Sequence, residues 1–335
     1  MSTTNGKQEV VVITGASAGV GRAVAREFAR HGARIGLIAR GEAGLDGARR
    51  DVERLGGTAL VLPCDVADAA AVEDAAARVE RELGPIDVWV NNAMQSVLAP
   101  FKEMTADDFR RVTEVTYLGV VHGTMAALRR MLPRDRGTVV QVGSALAYRS
   151  IPLQSAYCGA KHAIVGFTDS IRCELVHDGS NVHVTAVHLP ALNTPQFRWV
   201  KSLLPNESQP VPPIFQPEVA ARAIYRAAHA DKRELWVGLP AIQAIVGQKL
   251  IPGLLDVYLG KTGYDGQQTD EPRQRSVDEH NLWHPLDQDE DRGAHGAFDE
   301  KAHGRSVQQW ADRNTGLLAA GAALVGVVAA LASRR

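Results

Sequence analysis

The chain has 335 residues, 45% of them hydrophobic, enough for one large domain with additions or two modest ones. Its 37 lysines and arginines balance 38 acidic residues, which excludes the basic surplus that nucleic-acid binding requires. Cys64, Cys158 and Cys173 are too widely spaced for a disulfide framework or a metal-ligand pair, and they point to a reducing compartment.

The polar start MSTTNGKQ runs straight into a strand without the pattern of a secretory signal, so the catalytic part is expected in the cytoplasm. From Glu9 to Leu239, seven apolar runs alternate with stretches of helical length: EVVVIT, RIGLIAR, TALVLPCD, IDVWVNNA, GTVVQVGS, VHVTAVHL and ELWVGL. They are rich in Val and Ile and nearly continuous in apolar character, as strands buried on both faces are. Alternation of this kind predicts a doubly wound α/β fold, a parallel Rossmann-type sheet, over residues 8–240. Two of the predicted helices run from Ala69 to Leu83 and from Asp107 to Met131.

After the first strand comes TGASAGVG, with Gly15, Gly19 and Gly21 flanking Ser17 and Val20. Glycine permits a tight turn and a close approach of backbone to a pyrophosphate, and the following helix offers free amides to the phosphates. The end of the second strand meets the adenosine ribose in such folds. Ala39 and Arg40 stand there, with no carboxylate before Glu42. An arginine suits a 2′-phosphate through charge-assisted hydrogen bonds, so NADP (NADPH) is expected over NAD. Arg22 reads as a solvated helix residue beside the same loop.

Further on, Tyr157 lies thirteen residues after Ser144, and Lys161 follows one helical turn later. A phenol ionises at about pH 10, and a cation beside it favours the phenolate, which is the arrangement for acid-base work.

Past Leu239 the alternation fails. Residues 241–263 read as an appended segment broken by Pro240 and Pro252, and residues 264–306 as a polar flexible linker. The histidines of that tract (His280, His284, His295 and His303) read as solvated, so no metal is expected. Residues 307–335 hold the uncharged run GLLAAGAALVGVVAALA at 316–332. As a helix it spans about 25 Å against a hydrocarbon core of about 30 Å. A C-terminal apolar helix anchoring the protein to a membrane is expected there, with a soluble or partner-packed helix as the alternative.

Together these pieces resemble the short-chain dehydrogenase/reductase (SDR) family over about residues 8–240. The carriers are TGASAGVG, the CDV of Cys64 to Val66, NNA at Asn91 to Ala93, Ser144, and YCGAK from Tyr157 to Lys161. The resemblance implies that Asp65 and Val66 contact the adenine and that Asn92 and Ala93 lie along the cofactor. It implies that Ser144 orients the substrate oxygen, Tyr157 exchanges a proton with it, and Lys161 lowers the tyrosine pKa and holds the nicotinamide ribose. It also implies a homo-oligomer, a dimer or tetramer.

Three positions depart from the family pattern. Thr116 stands where a catalytic Asn is usual, Met94 replaces a glycine, and the stretch from Pro190-Ala191 to the carboxamide-binding Thr194 is shortened. Residues 191–215 should cover the nicotinamide with apolar side chains (Leu192, Phe197, Trp199, Leu203, Leu204 and Phe215), joined by Met94, Leu146 and Tyr148. The expectation is an NADP-dependent oxidoreductase acting on a secondary alcohol or carbonyl of an apolar small molecule. Its rivals are a non-catalytic NADP-binding scaffold and a membrane-tethered adaptor.

Overall fold

The computed structural model describes residues 8–306 and residue 308. Each of the seven apolar runs forms a strand: β1 Val10–Thr14, β2 Arg34–Ala39, β3 Thr58–Pro63, β4 Val88–Asn91, β5 Thr138–Ser144, β6 His183–Leu189 and β7 Glu234–Trp236. They pair in parallel in the order β3-β2-β1-β4-β5-β6-β7. Every residue of β1 is buried. Val11 and Ile13 belong to a core cluster with Phe28 and Ile224, while Val10 and Val12 belong to another with Val79, Ile86 and Trp89. Cover on both faces is why these runs carry no polar alternation.

The connections are the helices α1 (Gly19–Ala29), α2 (Glu42–Arg54), α3 (Ala69–Glu82), α4 (Ala106–Thr113), α5 (Gly119–Met131), α6 (Ser155–His177) and α7 (Pro217–Ala228). The strand order reverses between β1 and β4, which opens a crevice at the carboxyl ends of the strands. The single helix expected from Asp107 to Met131 is instead divided by a π-helical turn, Glu114–Leu118. Such a turn holds an extra residue and rephases the side chains beyond it. Two more helices follow the sheet, α8 (Leu239–Leu250) and α9 (Pro252–Thr262). Pro240 and Pro252 sit in their first turns, where a missing N–H leaves no bond unmade.

Residues 264–306 are not a flexible linker. They fold back across the domain, with Gln268–Pro272 pairing antiparallel to Asn206–Ser208 and Ala302–His303 parallel to Ile214–Phe215. Leu282 and Ala294 are buried, and His295 bridges Glu218 and Asp299 at 2.9 and 3.0 Å. The tract has little apolar surface, but it docks by polar contacts with donors that the domain already presents. Composition alone therefore misjudges it. The expected membrane anchor is corrected as well. No helix among the described residues is long and apolar enough to cross a membrane, and residues 316–332 lie outside the described residues.

Candidate active site

β5 ends on Ser144, whose Oγ accepts a hydrogen bond from the Leu146 amide at 3.1 Å. α6 then runs beneath that strand and carries Tyr157 and Lys161 one turn apart. The Tyr157 hydroxyl shares a hydrogen bond with Ser144, and the Lys161 Nζ lies 5.6 Å from the centre of the Tyr157 ring. Burial pushes the Tyr157 phenol above the usual tyrosine range, against the Ser144 hydrogen bond, which works the other way. Burial also brings the Lys161 ammonium down to about 8. Desolvation therefore prevails where a lowering by Lys161 was expected, and the phenol rests protonated.

Lys161 is 2% exposed and donates to the Val142 carbonyl at 2.7 Å, its hydrogen-bond partner among the described residues. An ammonium has three donors, so two remain for acceptors that enter the cavity.

The glycine loop takes the form expected. Gly15 has a φ of +67°, and a β-carbon on Gly21 would lie 2.1 Å from the Gly15 carbonyl oxygen. Gly21 therefore serves close packing of α1 on the loop. The Thr14 hydroxyl accepts from the Asn92 and Ala93 amides at 2.9 and 3.0 Å, and Asn92 Nδ2 donates to the Thr14 carbonyl at 2.9 Å. These bonds tie the end of β4 to the loop.

One cavity of about 430 Å³ gathers the expected residues Gly15, Ser17, Gly19, Val20, Arg40, Asp65, Val66, Asn92, Ala93, Ser144, Tyr157, Lys161 and Thr194. Gly21 and Thr116 do not line it. Thr116 is fully buried on the π-helical turn, and its hydroxyl exchanges hydrogen bonds with the Gln95 amide and carbonyl, both at 2.9 Å. That hydroxyl is thereby spent on the segment after β4. Of the apolar residues expected over the nicotinamide, Met94, Leu146, Leu192, Phe197 and Trp199 line the cavity. Leu203, Leu204 and Phe215 pack into cores, and Tyr148 donates to Glu234 at 2.8 Å.

The Arg40 end holds what the sequence did not disclose. Residues 281–293 strap across it. The Arg40 guanidinium donates to the carbonyls of Asn281, Leu282 and Trp283 at 2.5, 3.3 and 3.0 Å. The Gly19, Ala43 and Gly44 amides donate to the Gly293, Gln288 and Asp287 carbonyls, each at 3.1 Å. Arg22, expected in solvent, is buried and joins Asp51 at 2.7 Å and Asp291 at 3.0 Å. Burial would raise the Asp65 carboxyl, yet the Ala67 amide and Arg111 hold it below the ordinary carboxylate range.

The strap's seat is cut by glycines three residues apart. A β-carbon on Gly41 or Gly44 would stand 1.9 or 2.4 Å from the Asp287 carboxylate, and one on Gly47 1.9 Å from that of Asp291. Two of these glycines lie inside α2, where each costs about 1 kcal/mol of helix propensity relative to alanine. That unfavourable G-x-x-G-x-x-G run was the one local sign that something docks there.

A family model described as short chain dehydrogenase matches residues 9–202. An uncharacterised oxidoreductase of Bacillus subtilis, YxnA, is 34% identical over 270 residues, covering 79% of this chain and 75% of its own. The 3-dehydrosphinganine reductase of Danio rerio is 32% identical over 65% of this chain and 68% of its own. Among solved structures, an alcohol dehydrogenase from Thermococcus sibiricus, complexed with 5-hydroxy-NADP, superposes with a TM-score of 0.59. It is 25% identical and spans 69% of this chain and 96% of its own. The chain belongs to the short-chain dehydrogenase/reductase family of oxidoreductases.

Proposed function

We propose that the protein is an NADP(H)-dependent oxidoreductase that interconverts a secondary alcohol and a carbonyl on an apolar small molecule, with Tyr157 transferring the proton. The observation that carries this reading is the meeting of Ser144, Tyr157 and a buried, donor-rich Lys161 on one wall of the cavity. The residues present suit a nicotinamide dinucleotide: a glycine loop of positive φ, the first turn of α1 beyond the Gly19 amide that the strap takes, and two spare Lys161 donors for ribose hydroxyls. When bound, the nicotinamide supplies or takes up the hydride.

In reduction, the Ser144 and Tyr157 hydroxyls hold the carbonyl oxygen between them, and the protonated Tyr157 phenol gives its proton to that oxygen. Lys161 orients the nicotinamide ribose. Met94, Leu146, Phe197 and Trp199 exclude water and favour an apolar substrate. Thr116 has no part in this reading, because its hydroxyl is spent on Gln95. Reduction is also supported by the relative named 3-dehydrosphinganine reductase, and NADP by the neighbour complexed with 5-hydroxy-NADP. For the 2′-phosphate the proposed groups are Arg40 and Ser17, both of which line the cavity.

The test is turnover of NADPH by the purified chain against a panel of ketones, with Tyr157→Phe beside it. Tight NADPH binding without any Tyr157-dependent turnover would return the protein to the scaffold reading.

A further inference from the structure

The end of β2 lacks a carboxylate, but the fold brings one in from elsewhere. Asp287 is 6% exposed and lines the cavity beside Ser17 and Arg40. Its two oxygens lie against Gly41 and Gly44, within reach of the β-carbons those residues do not have, at 1.9 and 2.4 Å. The Ser17 β-carbon stands 2.8 Å from the same point on Gly44, so the carboxylate is wedged between the glycine loop and the first turn of α2. Among the described residues, no hydrogen bond or ion pair reaches its oxygens. The oxygens are not sealed off from the cavity, so a donor on a bound ligand can reach them.

The surroundings sharpen what that ligand group is. The adenosine ribose of a dinucleotide lies at the end of the second strand, so its 2′ substituent meets this corner. Arg40, which by itself would draw a 2′-phosphate, has its guanidinium turned to three strap carbonyls. Burial lowers the Arg40 guanidinium from its ordinary value, and the Asp65 and Asp287 carboxylates work against that.

We propose that Asp287 is a specificity-determining residue of the dinucleotide site. Its carboxylate accepts a hydrogen bond from a ribose 2′-hydroxyl and repels a 2′-phosphate, so it opposes Arg40 and narrows the preference for NADP(H) over NAD(H). This inference rests on the oxidoreductase reading and concerns the balance between two forms of its cofactor.

The test is fluorescence titration of the full chain with NADPH and with NADH, comparing Asp287→Asn with Asp289→Asn. Asp289 is exposed on the same strap, and its replacement removes the same charge. In Asp287→Asn, NADPH should bind tighter and NADH more weakly, shifting the ratio of their dissociation constants towards NADPH by about tenfold or more, a change of one hydrogen-bonded charge. Asp289→Asn should leave the ratio within about twofold. An unchanged ratio in Asp287→Asn overturns the proposal, and so does an equal shift in both variants, which would mean only long-range charge. Failure of the wild-type chain to bind either dinucleotide is a different result, which removes the oxidoreductase reading and this inference with it. Asp287→Asn keeps the side-chain shape, so the seat between Gly41 and Gly44 is retained, and an unchanged melting temperature checks that it is.

Discussion

At the Tyr157 end of the cavity the reactive groups come from one stretch of chain, Ser144 to Lys161. At the Arg40 end the wall is shared by groups 241 residues apart. The first end is set by a strand, a turn and a helix that must pack together for the sheet to be covered at all. Its geometry follows from the core, because Lys161 reaches back under β5 to Val142. The second end depends on a polar segment that contributes little to any core and is held by backbone carbonyls, two carboxylates and notches in α2. A disturbance at the first end should change chemistry, whereas one at the second should change which ligand binds and how well.

The largest effect should come from Tyr157→Phe, which removes the proposed proton donor and leaves the ring. We expect kcat to fall by about 10²–10⁴-fold with dinucleotide affinity nearly unchanged, measured by steady-state kinetics beside direct titration. A loss of affinity equal to the loss of rate would mean the two ends are not separable.

Next comes Arg40→Ala. It removes a charge and also strap contacts, so the informative quantity is the ratio between cofactors within the one variant. NADPH affinity should drop by about tenfold more than NADH affinity, the worth of a charge-assisted bond. Parallel losses for both cofactors would refute a 2′-phosphate role.

A smaller effect is expected of Gly47→Ala. Alanine improves α2 by about 1 kcal/mol of propensity but drives a β-carbon against Asp291. Faster tryptic cleavage after Arg292, with turnover at saturating cofactor kept, would show the strap loosened while the Tyr157 end stands. Unchanged cleavage would mean that the notch at Gly47 is not needed.

The mildest test concerns stability. Burial holds the Lys161 ammonium at about 8 in the folded chain, below its ordinary 10.5. The cost of burying its charge is therefore present below pH 8 and fades as pH rises through that value towards 10.5. Lys161→Met should melt higher than wild type at pH 7, by about 2 °C or more, with the gain shrinking by pH 10. A gain independent of pH would assign the effect to packing instead.

The same contrast decides what could be read from the residues alone. The five central strands were legible because Val and Ile runs buried on both faces leave a continuous apolar signature, the half-buried edge strands β3 and β7 because they repeat the alternation with helices, and the spacing of Tyr157 and Lys161 because one helical turn places them. The setting of Thr116 was not, since nothing in the local residues marks the π-helical turn at Glu114–Leu118 or the bonds of its hydroxyl to Gln95. Nor was the strap. Its composition is that of a disordered tract, and what orders it belongs to its partner surface: the Arg40 and Arg111 guanidinium groups, the free amides at two helix starts, and the missing β-carbons of Gly41, Gly44 and Gly47. Arg22 was misjudged for the same reason, because both of its carboxylate partners, Asp51 and Asp291, are distant in the chain.

Asp287 also divides labour along the polypeptide. Loop-closure entropy rises only logarithmically, about 0.6 kcal/mol for each doubling of length, so once a far segment has folded back, its exact distance along the chain matters little. In exchange, the ribose corner becomes exchangeable. The β2–α2 turn has to satisfy the sheet, the helix and the glycine loop at once, whereas position 287 has no strand to continue and meets only the seat at Gly41, Gly44 and Ser17. A substitution there can retune the choice of cofactor while the scaffold that performs the reaction stays as it was.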